Sequence, residues 1–155
     1  MTRFLGTHHN KLDAKGRVSI PAAYRSALKS PDETNGTAQM VLRPSHQHAC
    51  IEAWPISVFD ALADPLNKLD LFSQEHDDMA ATLYADAFHV ETDKEGRVVL
   101  PDSLVEYAGL KDAVVFMGLG RIFQIWEPAA ADRRRTEARV RARERSLTLS
   151  SVEAS

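Results

Sequence analysis

Asp13-Ala-Lys-Gly-Arg-Val-Ser-Ile-Pro21 returns later in the chain as Asp93-Lys-Glu-Gly-Arg-Val-Val-Leu-Pro101, with Asp, Gly, Arg, Val and Pro identical and Ile20 replaced by Leu100. A motif of this length that occurs twice marks a chain built from two copies of one unit. Each copy opens on turn chemistry. The Asp side chain can accept from backbone N–H groups two residues on, and the glycine can take a positive φ. A strand follows, and its alternation sends Val18 and Ile20 to one face and Arg17 and Ser19 to the other. By the same alternation Val98 and Leu100 turn inward and Arg97 outward. Asp13, Gly16, Asp93 and Gly96 are therefore the turn-forming residues, and Arg17 and Arg97 project from the strands that the turns begin.

Outward from the motif, each copy continues in the same way. Tyr24, Ala27 and Leu28 follow Pro21 at helical spacing; Leu104, Tyr107 and Ala108 follow Pro101, with Gly109 as a left-handed stop. Strands come next. Ala113–Met117 and Ile122–Trp126 flank Gly118-Leu-Gly-Arg121 as a hairpin, and Met40–Leu42 and Cys50–Trp54 flank a longer connection from Arg43 to Ala49. The organisation read from this is a first half over 4–55, a connecting helical segment over 56–83, a second half over 84–128, an arginine-rich helix over 129–145 and a tail over 146–155. Val58, Phe59, Leu62, Leu66, Leu69 and Phe72 predict one helix over Ile56–Phe72, kinked or broken by Pro65. Pro31–Thr37 reads as a surface loop, and Ser146–Ser155, without periodicity, as a disordered tail.

The 155 residues are 44% hydrophobic and 26% charged, the composition of an ordinary globular domain and not of a disordered or fibrous chain. Cys50 is the only cysteine, which excludes an intramolecular disulfide and a zinc site of several thiolates and fits a reducing cytoplasm. No stretch has a signal peptide's apolar run or the ~18 apolar residues of a membrane span. The net charge of −3 hides a partition: residues 1–29 carry +5, residues 30–132 carry −12 and residues 133–155 carry +4. An acidic body with basic surfaces is compatible with a polyanionic partner.

Outward arginines on a two-stranded ribbon suit DNA, because a guanidinium reaches guanine or phosphate in a forked geometry and a ribbon fits the major groove. A single Asp-x-x-Gly-Arg is equally a hairpin turn followed by a solvated arginine. Repetition favours the first reading, since turn and packing explain the Asp, Gly, Val and Pro but leave the twice-placed Arg without a structural need. His8, His9, His46 and His48 have no carboxylates at ligand spacing and read as exposed loop histidines, so no metal is expected. No phosphate loop, nucleophile or acid/base pair is visible, and neither enzymatic activity, a small-molecule substrate nor a cofactor is expected. The run Arg133–Arg145 reads either as a solvated helix supported by Glu137–Arg141 pairing or as an accessory contact to nucleic acid or to an acidic neighbour.

With its paired motifs, its Ala108-Gly-Leu110 segment and its Ile-Glu-Ala-Trp54 and Gln-Ile-Trp126-Glu strand endings, the chain resembles the MraZ family of bacterial transcriptional regulators from Phe4 to about Arg133. The resemblance implies an α+β fold of two pseudo-symmetric AbrB-like swapped-hairpin half-domains, forming a small β-barrel-like core with flanking helices. It further implies a cytoplasmic, nucleoid-associated ring homo-oligomer, octamer or dodecamer, that binds direct repeats in the promoter of the division and cell-wall gene cluster, including its own gene. Lys15 and Arg17 match the family's DNA-contacting pair. The second motif contributes Lys94 and Arg97, with Glu95, an acid that repels phosphate, where the first has Lys15. Ser73–Met79 is acidic where many members carry an arginine-rich stretch. The alternative is an AbrB-like antitoxin or transition-state regulator, which usually has one motif copy and a toxin-binding tail.

Overall fold

The computed structural model describes residues 3–29 and 36–145. The expected tail lies outside the described residues, as does all of the expected Pro31–Thr37 loop except its last two positions. The first copy of the repeat forms β1 (Thr7–Lys11), β2 (Arg17–Ser19), α1 (Ala22–Leu28), β3 (Gln39–Pro44) and β4 (Ile51–Trp54). Three helices follow, α2 (Ile56–Ala61), α3 (Ala63–Asn67) and α4 (Gln74–Tyr84). The second copy repeats the order as β5 (Phe88–Glu91), β6 (Arg97–Val99), α5 (Asp102–Tyr107), β7 (Ala113–Gly118) and β8 (Phe123–Trp126), and α6 (Pro128–Glu144) closes the described chain. The motif prolines stand just before α1 and α5. Their carbonyls accept the first helical bonds, from Tyr24 and Arg25 N–H in one half and from Leu104 and Val105 N–H in the other.

The strands on either side of each Asp turn do not pair with each other. β1 runs antiparallel to β7 of the other half, β5 to β3, and β2 to β6. The result is a six-stranded antiparallel sheet in the order β1-β7-β8-β4-β3-β5 and a separate two-stranded ribbon of β2 and β6. The exchange is the same in both directions: Lys11 lies opposite Ala113, and Glu91 opposite Gln39. A pseudo-dyad relates the halves, passing between Val18 and Val98 in the ribbon and between Glu52 and Gln124 in the sheet.

One face of the sheet carries Met40, Leu42, Ile51, Ala53, Val114, Phe116, Phe123 and Ile125, and the ribbon's Val18, Ile20, Val98 and Leu100 close over it with Tyr24 and Leu104. Tyr24 stacks among Phe4, Phe116 and Phe123, and its hydroxyl donates to Gly6 O at 2.8 Å. Burial pushes that phenol up to about 12. On the opposite face α6 seats Ala130 and Ala131 on Val115, Met117 and Trp126.

The helix expected over Ile56–Phe72, kinked or broken by Pro65, is broken into two short helices, and the second stops at Asn67, short of Phe72. Pro65 has no N–H to give the carbonyl four residues back, and its ring crowds that carbonyl. That residue is Ala61, where α2 ends. Phe72 is not part of the core either; it is 92% exposed, with Leu71 and Met79 also in solvent. Hydrophobic spacing continued past the last turn that has a surface to pack on.

Candidate nucleic-acid interface

The ribbon's outward face carries Arg17, Ser19, Arg97 and Val99. Arg17 is directly opposite Val99 and Ser19 opposite Arg97. The two arginines are thus diagonal neighbours, a spacing of about 7–8 Å between such positions. Each is held by its own turn. Asp13 Oδ1 accepts from the backbone N–H of Lys15 (2.9 Å) and of Arg17 (2.8 Å), while its Oδ2 accepts from Arg17 Nε at 2.7 Å. Asp93 repeats this with the N–H groups of Glu95 and Arg97 and with Arg97 Nε, all at 2.9 Å. The arginine therefore does have a structural need at this position, contrary to expectation: it completes the turn as an ion pair through Nε.

These bonds favour the charged carboxylates, and the backbone N–H of Arg17 or Arg97 is the largest cause holding Asp13 and Asp93 below the usual carboxylate range. The folded-state values are depressed, so this stabilisation is complete above the unfolded pKa and is lost as pH falls through the folded one. The clamps are intact at neutral pH. Binding through Nε leaves the two Nη groups of Arg17 without a partner among the described residues. Arg97 differs, since its Nη2 lies 3.2 Å from Glu95 Oε2. Lys15 and Lys94 are exposed on their turns.

The description of the matching family model is "MraZ protein, putative antitoxin-like", and the match covers residues 3–81 and 83–138. The chain is 64% identical over 147 residues to a protein of Gluconacetobacter diazotrophicus, covering 95% of this chain and 92% of the relative. It is 57% identical to one of Gluconobacter oxydans (92% and 87% covered) and 40% identical to one of Rickettsia bellii (91% and 91%). All three relatives bear the name transcriptional regulator MraZ. The chain belongs to the MraZ family.

The two turns of this MraZ-family chain are not equivalent. Gly16 and Gly96 both have φ near +80°. A Cβ at Gly16 would meet Leu100 O at 3.2 Å, whereas one at Gly96 would fall within 2.6 Å of Arg25 Cδ and Cζ. Both substitutions to alanine carry the left-handed backbone cost of about 1–2 kcal/mol. Arg25 is a flexible side chain that can swing away from a Cβ at Gly96, whereas Leu100 O belongs to the backbone of the paired strand and cannot, so urea unfolding is expected to rank Gly16→Ala as the more destabilising of the two.

Other expected features are placed differently. His48 is half-buried against Trp126, with ring centroids 5.6 Å apart, and His8 meets Tyr24 edge-on at 5.0 Å; of the four histidines expected to be exposed, His9 and His46 are. Burial, aided by Arg134, lowers the His48 pKa. On α6 the described ion pair is Arg135–Asp132 at 3.5 Å, not Glu137–Arg141. Sequence reasoning missed Arg25, whose guanidinium covers the Gly96 turn. Nothing local marks it, because the contact joins a helix of one half to the turn of the other.

Proposed function

We propose that this chain is a sequence-specific DNA-binding transcription regulator without enzymatic activity, and that the β2–β6 ribbon is its reading element. The observation that carries this is the pair of clamped arginines on the outward face of a ribbon narrow enough for the major groove. Lys15, Arg17, Lys94 and Arg97 are the DNA-contacting residues of the proposal, and Val99 adds an exposed methyl surface beside Arg17 of the kind that meets thymine. The names of the relatives support the reading, as does the charge of +5 on residues 1–29.

The finer parts of the reading are a swapped-hairpin architecture, a ring homo-oligomer, action in the cytoplasm at the nucleoid, and direct repeats in the promoter of the division and cell-wall cluster as targets. Exchange of β1 and β5 between the halves supports the first. For the ring, the apolar α3–α4 face offers a contact surface: Leu66, Leu69, Met79 and Leu83 line a cavity of about 540 Å³ rimmed by Glu75 and Asp78. Its occupant is a second copy, whose arginine-rich α6 has the complementary charge.

DNA selection from random oligonucleotides tests the function and yields the operator. Enrichment of tandem sites is expected, since a ring engaging successive sites gains ~10²-fold or more in avidity. No enrichment, together with salt-insensitive binding, removes the regulator reading. Light scattering at micromolar concentration tests assembly, and the mass of a single chain would eliminate the ring. Stable co-purification with a toxin would favour the antitoxin alternative, which the words "antitoxin-like" in the family's description keep in view.

A further inference from the structure

The motif turns carry different charge. Residues 13–17 hold Lys15 and Arg17 against Asp13, a net of +1, whereas residues 93–97 hold Lys94 and Arg97 against Asp93 and Glu95, a net of zero. Glu95 also occupies Arg97 Nη2. A reading surface with two arms would then be cationic on one arm only.

Arg25 lies over the deficient arm. It stands on α1 between Tyr24, which enters the core, and solvent-exposed Ser26, and its Cδ and guanidinium carbon rest against the Gly96 turn. Its Nε is buried without an acceptor, and the guanidinium makes no hydrogen bond or ion pair with any described residue. Glu95, the nearest acid along the turn, is engaged with Arg97. The buried Nε is closed to any outside ligand, so an anion would have to be met by the Nη groups, which no described residue engages. The pseudo-dyad sharpens the point. Arg25 is the fourth residue after Pro21, and the fourth after Pro101 is Val105, an apolar residue packed against the core. Only the turn that contains the acid is covered by an arginine from the other half.

We propose that Arg25 is a DNA-phosphate contact of the second turn, restoring from across the pseudo-dyad the positive charge that Glu95 cancels. The ligand chemistry is a phosphodiester oxygen, met by a guanidinium whose stem is fixed and whose Nη groups are unclaimed. This inference rests on the DNA reading above and adds to it a residue outside the repeated motif.

A phosphate contact shows itself in the salt dependence of binding to any duplex. Affinity for a fluorescein-labelled mixed-sequence duplex would be measured by anisotropy between about 50 and 200 mM NaCl for the unsubstituted protein, Arg25→Met, Arg25→Lys and Arg17→Ala. Arg25→Met keeps the length of the stem without the charge. It is expected to reduce the slope of log K against log salt by about 0.9 for each Arg25 that touches DNA, while Arg25→Lys keeps the slope. A purely structural role would leave the slope of Arg25→Met unchanged and would make Lys as damaging as Met to stability. Either result overturns the proposal. So would loss of folding, by circular dichroism, in both Arg25→Met and Arg25→Gln. If Arg17→Ala weakens binding and Arg25→Met does not, only this inference fails; if the unsubstituted protein binds no duplex even at the lowest salt, the DNA reading fails with it.

Discussion

Glu52→Ala is expected to destabilise the protein by about 3–5 kcal/mol, the cost of leaving a buried charge without its partner. Arg43 is only 6% exposed, and its Nη1 reaches Glu52 Oε1 at 3.4 Å while its Nη2 donates to Thr82 O on α4 at 3.1 Å. Glu52 Oε1 also accepts from Trp54 Nε1 at 3.2 Å. Truncation removes the counter-charge and the indole's acceptor together, and loosens the one described side-chain tether from the sheet to α4. The second half serves as an internal control. At the positions related by the pseudo-dyad it has Met117 and Gln124, and Gln124 Oε1 alone accepts from Trp126 Nε1, at 2.8 Å. The double variant Arg43→Met with Glu52→Gln copies that neutral arrangement, and should recover most of the loss, to within about 1 kcal/mol for the tether to Thr82. Urea denaturation measures all three proteins. A cost below about 1 kcal/mol for Glu52→Ala would mean that water reaches Arg43, and that the pair behaves as a surface one.

Arg17→Ala is expected to abolish specific DNA binding while leaving the fold in place. Its unclaimed Nη groups are the ribbon's best-placed donors for a base edge, worth about 1–3 kcal/mol per contact. In the proposed ring the loss would multiply over every subunit engaged at once. Stability should fall little, because the lost pair with Asp13 is exposed, and Asp13 still accepts from the backbone of residues 15 and 17. Arg97→Ala should cost less affinity, since Nη2 of that side chain is already shared with Glu95. Filter binding at two salt concentrations, with circular dichroism for folding, separates the two variants. Normal operator binding by a folded Arg17→Ala protein would transfer the reading role to α6.

The duplicated motif made the element order of both halves legible, including the helices after Pro21 and Pro101 and the turns at Gly16 and Gly96. It did not reveal partners. Alternation at Val18 and Ile20 says which face is buried, but strand pairing depends on which edges meet, so the passage of β1 to β7 and of β5 to β3 had to be seen. The outward direction of Arg17 and Arg97 was readable, whereas their Nε bonds to Asp13 and Asp93 were not. Spacing does not distinguish an arginine that faces solvent from one that folds back on its own turn. Arg25 was invisible for the opposite reason: on α1 it looks like any surface arginine, and only the exchange of strands brings Gly96 beneath it.

The pseudo-dyad through Val18 and Val98 gives the molecule a direction. A true twofold dimer presents identical ends, and the sequence it reads is palindromic. Here the two ends are fused in one chain and have diverged: one offers Lys15 beside Arg17, the other Glu95 beside Arg97, with Arg25 above it. Such a ribbon has a head and a tail, so turning it end for end on DNA changes every contact. Under the proposed DNA reading, copies laid along a duplex with the same polarity would match sites written in the same orientation, and an inverted site would place the Glu95-bearing turn where Lys15 belongs.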